Sequence, residues 1–246
     1  MMGLGAGNMM GFGAIRARAA QRKGGEAVLK SLLPDVPDRA RLAALPDDRV
    51  LSEMARRVFC AGFVWSVIEA KWPGFEEAFL GFVPQQLLFQ PDEFWHDLAR
   101  DSRIVRNPQK IRSVRENAAF VAAIAKEHGS FGTFLSRWPA DDQIGLLDLL
   151  AKRGSRLGGK TGQYFLRFVG FDAFITSKDM VAALRDAGLD IAPEPTSKAD
   201  LRKVQAQVNA WAEETGLPRT HISRILALSV GHNHPVEMLR RQMGED

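Results

Sequence analysis

The chain is short of most of the residues that staple or extend a fold. Among its 246 residues there is one cysteine, Cys60, and one tyrosine, Tyr164. A single thiol excludes a disulfide framework and any zinc site built on more than one thiolate, so the fold must stand on packing. No apolar run reaches the ~18 residues of a spanning helix, and no run of alternating β-branched residues reads as a strand. The Met1 to Gly13 stretch, rich in Gly and Met, has neither a basic leader nor a long apolar centre, and it reads as a flexible tail rather than a signal peptide. An excess of one charge is nearly missing too: 33 basic against 29 acidic residues leave +4. Only clustering of those charges would point to a polyanionic partner. Cytoplasm is the default compartment for such a chain.

What is present is helical periodicity, and the chain reads as all-α. Residues 1–46 read as a flexible or helical N-terminal arm, with short basic pieces at Ala14 to Lys23 and Glu26 to Leu33 separated by Gly24-Gly25. Asp47-Asp48 are placed to cap a long helix, apolar on several faces through Ile68 and stopped by Trp72-Pro73-Gly74. Pro91 and Asn107-Pro108 open further helices. Residues 141–169 read as helix, Gly-rich hairpin, helix. Thr176 with Asp179, and Ser197 with Asp200, have capping-box spacing. Short connections predict one helical domain over 47–231 and a frayed tail over 232–246.

The hairpin carries the first chemical signal. A turn of small residues closing on a helix N-terminus leaves backbone N–H groups pointing outward, a ready phosphate site. Gly158 and Gly159 permit close approach, Lys160 and Thr161 occupy the next helical turn, and Lys152, Arg153 and Arg156 add cations. This is the pattern of a helix-hairpin-helix module gripping DNA through phosphates; the same pattern also fits a plain αα-hairpin whose glycines serve the turn. A second basic run, Arg100 to Arg115, includes Arg106 and Lys110 around a helix start. It reads either as a solvated face or as an extension of the phosphate track.

Three stretches go further. LSEMARRVFCAGFVW (51–65), AFLGFVP with IVRNPQKIRSVRENA (79–117), and LAKRGSRLGGKTGQY (150–164) resemble the 3-methyladenine DNA glycosylase I family of the helix-hairpin-helix DNA glycosylase superfamily, as a divergent member. The resemblance implies a helix-hairpin-helix glycosylase fold. It implies excision of an alkylated, 3-methyladenine-like base flipped from duplex DNA, by hydrolysis of the N-glycosidic bond and without a lyase step. It places Trp65 at the family's stacking tryptophan, with Phe59 and Tyr164 beside the base. Arg57 stands where the family has a base-recognising glutamate, and a guanidinium there would repel a cationic purine. Glu53, one helical turn earlier, is the substitute carboxylate, and Asp179 is a second catalytic candidate near the position of the superfamily aspartate. The family's zinc ligands have no counterparts; His232 and His234 read as tail residues, and no metal or cofactor is expected. The expected partner is double-stranded DNA holding a damaged base, bound by a monomer with no membrane contact, in the cytoplasm at the nucleoid. The alternative is a weak or inactive lesion-binding protein of the same fold.

Overall fold

The computed structural model describes residues 9–244, leaving out the side chains of 241–244. Its helices, in chain order, are α1 (Phe12–Lys23), α2 (Glu26–Ser31), α3 (Arg39–Ala43), α4 (Asp47–Cys60), α5 (Trp65–Ala78), α6 (Pro84–Leu88), α7 (Asp92–Leu98) and α8 (Pro108–His128). They continue with α9 (Phe131–Arg137), α10 (Gln143–Arg153), α11 (Gly159–Phe168), α12 (Lys178–Asp186), α13 (Lys198–Thr215), α14 (Arg219–Ser229) and α15 (Val236–Gly244). No strand occurs among the described residues, so the all-α reading holds. The helices divide into a terminal unit, up to Val36 and from Asp172 onward, and a central unit, Pro37–Phe171.

In the terminal unit α1, α12 and α13 all pack on α14. The stretch read as part of an N-terminal arm supplies α1, whose Phe12, Ile15 and Ala19 are buried; Phe12 meets Trp211 at 5.5 Å between ring centroids. Its last turn holds the end of α14 and the chain that follows. Arg22 donates to the carbonyls of Leu228, Val230 and Gly231, and Lys23 donates to Asn233 Oδ1 and the His234 carbonyl. Residues 236–244, expected to fray, form α15 instead, because Leu239 finds a buried position. Residues 1–8 of the expected flexible tail lie outside the described residues.

The central unit is organised around α4, which packs against α8, α11, α5 and α9. The single long helix expected from Asp47 to Trp72 is two helices. Ala61 is extended and Gly62 left-handed at φ 71°, and α5 then restarts at Trp65 and runs through Pro73. The apolar pattern continues across the break, so periodicity alone cannot reveal it. Asp47 does not cap its own helix, although its place in the sequence suggests it. Pro46 holds that position, and the Asp47 carboxylate accepts from Phe131 N at the start of α9.

The hairpin between α10 and α11 is built by steric fit. Leu157 is fully buried, and a Cβ on Gly162 would lie 2.4 Å from the Leu157 carbonyl oxygen and 3.0 Å from Leu147 Cδ2. Gly162 is thus a packing residue that lets the two helices close on the turn. Replacing it by alanine forces the turn or the Leu147 rotamer to shift. A Gly162→Ala variant is expected to lose about 1–3 kcal/mol of unfolding free energy in urea titration, although alanine is the better helix former.

Candidate functional site

Four charged side chains from α4 and α5 meet within the central unit. Arg57, 3% exposed, brings Nε to 2.6 Å from Glu53 Oε1, one helical turn away, and NH2 to 3.6 Å from Glu69 Oε1. Arg56 reaches the other oxygen of Glu69 at 3.3 Å. The Arg57–Glu53 contact is close but off the hydrogen-bond line, leaving Nε and Oε1 without aligned partners. Burial pushes the Glu53 carboxyl above its ordinary value, against the pull of Arg57 and Arg56.

Aromatic rings close the other side. The Arg57 guanidinium lies 4.0 Å from the Phe168 ring centre and 5.0 Å from that of Trp65. Trp65 meets Tyr164 edge-on at 5.1 Å and Phe168 at 5.9 Å. Spacing in α11 puts Tyr164 and Phe168 on one face, four residues apart. Glu53, Arg57, Trp65 and Tyr164, four of the site residues read from the sequence, are therefore neighbours. Next to them Leu45, Arg49, Ser52, Glu53, Arg56, Phe168 and Val169 line a cavity of about 290 Å³. Periodicity could have found Ser52 and Arg56, which share the Glu53 face of α4; Phe168 needed the tertiary packing.

The bare repulsion expected between Arg57 and a cationic base changes in this setting. Two like charges ~5 Å apart cost roughly 3 kcal/mol at an effective dielectric near 20. Here the guanidinium charge is already met by Glu53 and Glu69, so the cluster does not present an uncompensated cation.

The remaining expected site residues are placed differently. Phe59 is fully buried and packs on Phe75 at 4.7 Å and Phe79 at 6.5 Å, so it is a core residue and not a substrate contact. Lys110 is 9% exposed and donates to the carbonyls of Phe59 and Ala61, which leaves it no reach to a phosphate. Asp179 belongs to the terminal unit, on the first turn of α12, where its carboxylate packs against Gly231. The cap of α12 is Ser177, accepting from Met180 N, in place of the expected Thr176.

The hairpin leaves its N-terminal end open. Gly158 provides no side-chain cap to α11, and nothing lies within 4 Å of a Cβ built at Gly159, whose φ is 57°. Lys152 and Lys160 are exposed and carry no ion pair among the described residues; Thr161, next in α11, is half-buried. Arg153 is taken by Glu127 through two bonds, and Arg156 by Gln109. The second basic run is largely neutralised: Arg103 pairs with Asp101, Arg112 with Glu116 and Arg115 with Asp92. Arg100 and Arg106 stay exposed and without such a partner among the described residues.

Two features escaped sequence reasoning. Buried Asn117 on α8 both donates to Ser155 O and accepts from Ser155 N, clamping the hairpin turn. Phe63 and Val64, in the break after α4, are 46% and 65% exposed; two apolar side chains at a glycine turn are a signal the periodicity concealed.

Residues 44–146 match the family model described as methyladenine glycosylase. The match takes in Glu53, Arg57, Trp65, Arg106 and Lys110 and stops before the hairpin turn. Among solved structures, a 3-methyladenine DNA glycosylase I from Staphylococcus aureus is 22% identical, with 62% of this chain and 85% of that one covered at a TM-score of 0.46. A Methanocaldococcus jannaschii 8-oxoguanine glycosylase/lyase in complex with 8-oxoguanine DNA is 12% identical, covering 87% and 95% at a TM-score of 0.49. No curated protein matches the chain. No described helix is long and apolar enough to cross a membrane.

Acid titration tests the wall of the cavity. Glu76 accepts from Arg49, Ser52 and Trp72. Burial raises its carboxyl, but these donors outweigh burial and hold it below the ordinary 4.5. Such a group stabilises the fold at pH above its unfolded value and loses that contribution as pH falls through the lower folded value. Denaturant titrations from neutral pH downward are expected to show stability declining below the ordinary carboxylate range, and Glu76→Gln is expected to flatten that decline.

Proposed function

We infer, from the match of residues 44–146 to the methyladenine glycosylase family model, that the protein is a base-excision repair DNA glycosylase acting on an alkylated, 3-methyladenine-like base. The observation that carries this reading is the meeting of Glu53, Arg57, Trp65 and Tyr164 within the matched segment and α11. A further support is the uncapped N-terminus of α11 with exposed Lys160 beside it.

The proposed division of labour follows from chemistry. Backbone N–H groups at Gly158 to Thr161, with Lys160 and Lys152, take phosphates and give affinity without sequence readout. Arg106 adds charge to that track. Arg153 and Arg156, already bonded to Glu127 and Gln109, shape the turn more than they grip. Phe63, exposed at the loop tip before α5, is suited to fill the space in the stack that a flipped base leaves, since apolar wedges stabilise such openings.

The flipped base is held against the indole of Trp65, whose electron-rich face favours an electron-poor alkylated purine. Alkylation already weakens the glycosidic bond by drawing electrons from it, so little acid assistance is needed. Water adds at the sugar C1′, the C1′–N bond breaks, the alkylated base leaves neutral with the bonding pair, and the proton lost by the attacking water passes to solvent. Glu53, with its raised carboxyl at the cavity wall, is the group we assign to hydrogen bonding with the base or the attacking water. Asp179, resting on Gly231, is assigned no step. The working form is taken to be a monomer on double-stranded DNA, at the nucleoid.

Oligonucleotides carrying a panel of base lesions, treated with alkali after incubation, test this directly. An alkylated purine is expected to yield strand scission only after alkali, and binding with no abasic product from any lesion would overturn the enzymatic reading. Trp65→Ala is expected to cut single-turnover excision by roughly 5- to 150-fold, the factor that loss of about 1–3 kcal/mol of base stacking gives, with duplex affinity changed little. Lys160→Ala is expected to weaken binding on all sequences alike and to lower the salt slope of log K by about one.

A further inference from the structure

We propose that Lys110 is a positioning residue for base capture: its ammonium fixes the connection between α4 and α5 that presents Phe63 and leads into Trp65. The proposal deepens the glycosylase reading and rests on it for the catalytic consequence, but its structural content stands apart.

Lysine is almost never fully buried unless a carboxylate meets it, and Lys110 has no carboxylate partner among the described residues. Its Nζ is spent on two backbone carbonyls, Phe59 O at 3.0 Å and Ala61 O at 2.7 Å. The first belongs to the last turn of α4, where orphan carbonyls and the helix dipole favour a cation. The second lies past the end of the helix, immediately before left-handed Gly62. A plain helix cap would need only the first. The ammonium also stands 5.9 Å from the ring centres of both Phe59 and Phe63, between the buried end of α4 and the exposed tip of the connection.

Lys110 is itself held firmly. It sits on the first turn of α8, where its N–H donates to the capping Asn107, and its carbonyl accepts from Ser113. The preceding residue, Gln109, accepts from Arg156 of the hairpin turn. Two turns further along α8, Asn117 clamps Ser155 of the same turn. One rigid helix therefore carries the anchors of the phosphate-binding hairpin and the anchor of the loop that handles the base. Burial lowers the Lys110 ammonium from its ordinary value, with Arg156 adding to the effect and Cys60 opposing it.

The test compares Lys110→Met, which keeps length and loses charge and donors, with Lys110→Arg, which keeps both. Amide hydrogen exchange in residues 61–65 of the free protein, duplex affinity, and single-turnover excision are measured for each. A 2-aminopurine beside the lesion reports flipping. Lys110→Met is expected to speed exchange over 61–65 at least tenfold and to lower flipping and excision about tenfold or more, with duplex affinity within threefold. Lys110→Arg is expected to recover most of each loss. Unchanged exchange over 61–65, or equal losses of affinity and excision as for a phosphate ligand, would overturn the proposal. Should Lys110→Met not fold, Lys110→Gln, which keeps a donor but no charge, is read by the same criteria. If the parent protein excises no lesion, the exchange and flipping signals still decide on Lys110, and only the glycosylase reading falls.

Discussion

A guanidinium buried to 3% exposure cannot stand without compensation, and the Arg57 side chain dictates much of what surrounds it. Moving such a charge out of water costs several kcal/mol even after relaxation. Two carboxylates, from the preceding turn of α4 and from α5, and two aromatic faces, from α5 and α11, supply the return. These partners lie on α4 itself, on α5 and on α11, so satisfying one side chain fixes the mutual placement of three helices. The same requirement collects a carboxylate of raised basicity, an indole and a phenol at one place. What makes the site chemically interesting is thus a consequence of what makes that part of the core electrostatically tolerable.

The second organising element is α8. Its long run of buried residues gives it a fixed seat against α4, and two of its buried polar side chains, Lys110 and Asn117, are spent on neighbours' backbones. Asn117 satisfies both backbone groups of Ser155, and Lys110 takes the carbonyls of Phe59 and Ala61 at the end of α4, while Gln109 accepts from the Arg156 side chain. Buried polar groups that bond backbone rather than side chains specify loop conformation directly, since they leave no alternative partner for the carbonyl or N–H they satisfy. The hairpin turn between α10 and α11 and the turn that precedes Trp65 are therefore both shaped from one helix.

Much of the fold was legible along the chain. Helical class followed from periodicity, and the hairpin from its glycines and flanking amphipathic segments. Trp65 and Tyr164 were found as neighbours-to-be because three short stretches resembled one family, and residues 44–146 carry that family's match. The errors share a cause. The break at Ala61 to Val64 was hidden because its residues continue the apolar pattern, and a backbone dihedral at Gly62 leaves no trace in periodicity. Phe59 was read as a pocket residue because it neighbours the motif in sequence, yet its helical angle turns it into the aromatic core with Phe75 and Phe79. The basic run from Arg100 to Arg115 lost most of its promise for the same reason. Local carboxylates at Asp92, Asp101 and Glu116 meet its cations, and Lys110 is turned inward.

By itself the sequence determined that this chain is helical, unstapled, equipped with a glycine hairpin, and provided with a tryptophan and a displaced carboxylate in the matched segment. Those properties are carried by residue identity and short-range spacing, to which helix formation and turn geometry respond directly. Only the tertiary structure decided which charges are free. Arg57 and Lys110 became structural, Lys160 and Arg106 stayed available, and Glu53 moved to a cavity wall. Whether a cation grips a phosphate or props up a loop depends on its distance to groups far away in the chain. Burial and pairing of that kind exist only after packing, and no local pattern encodes them.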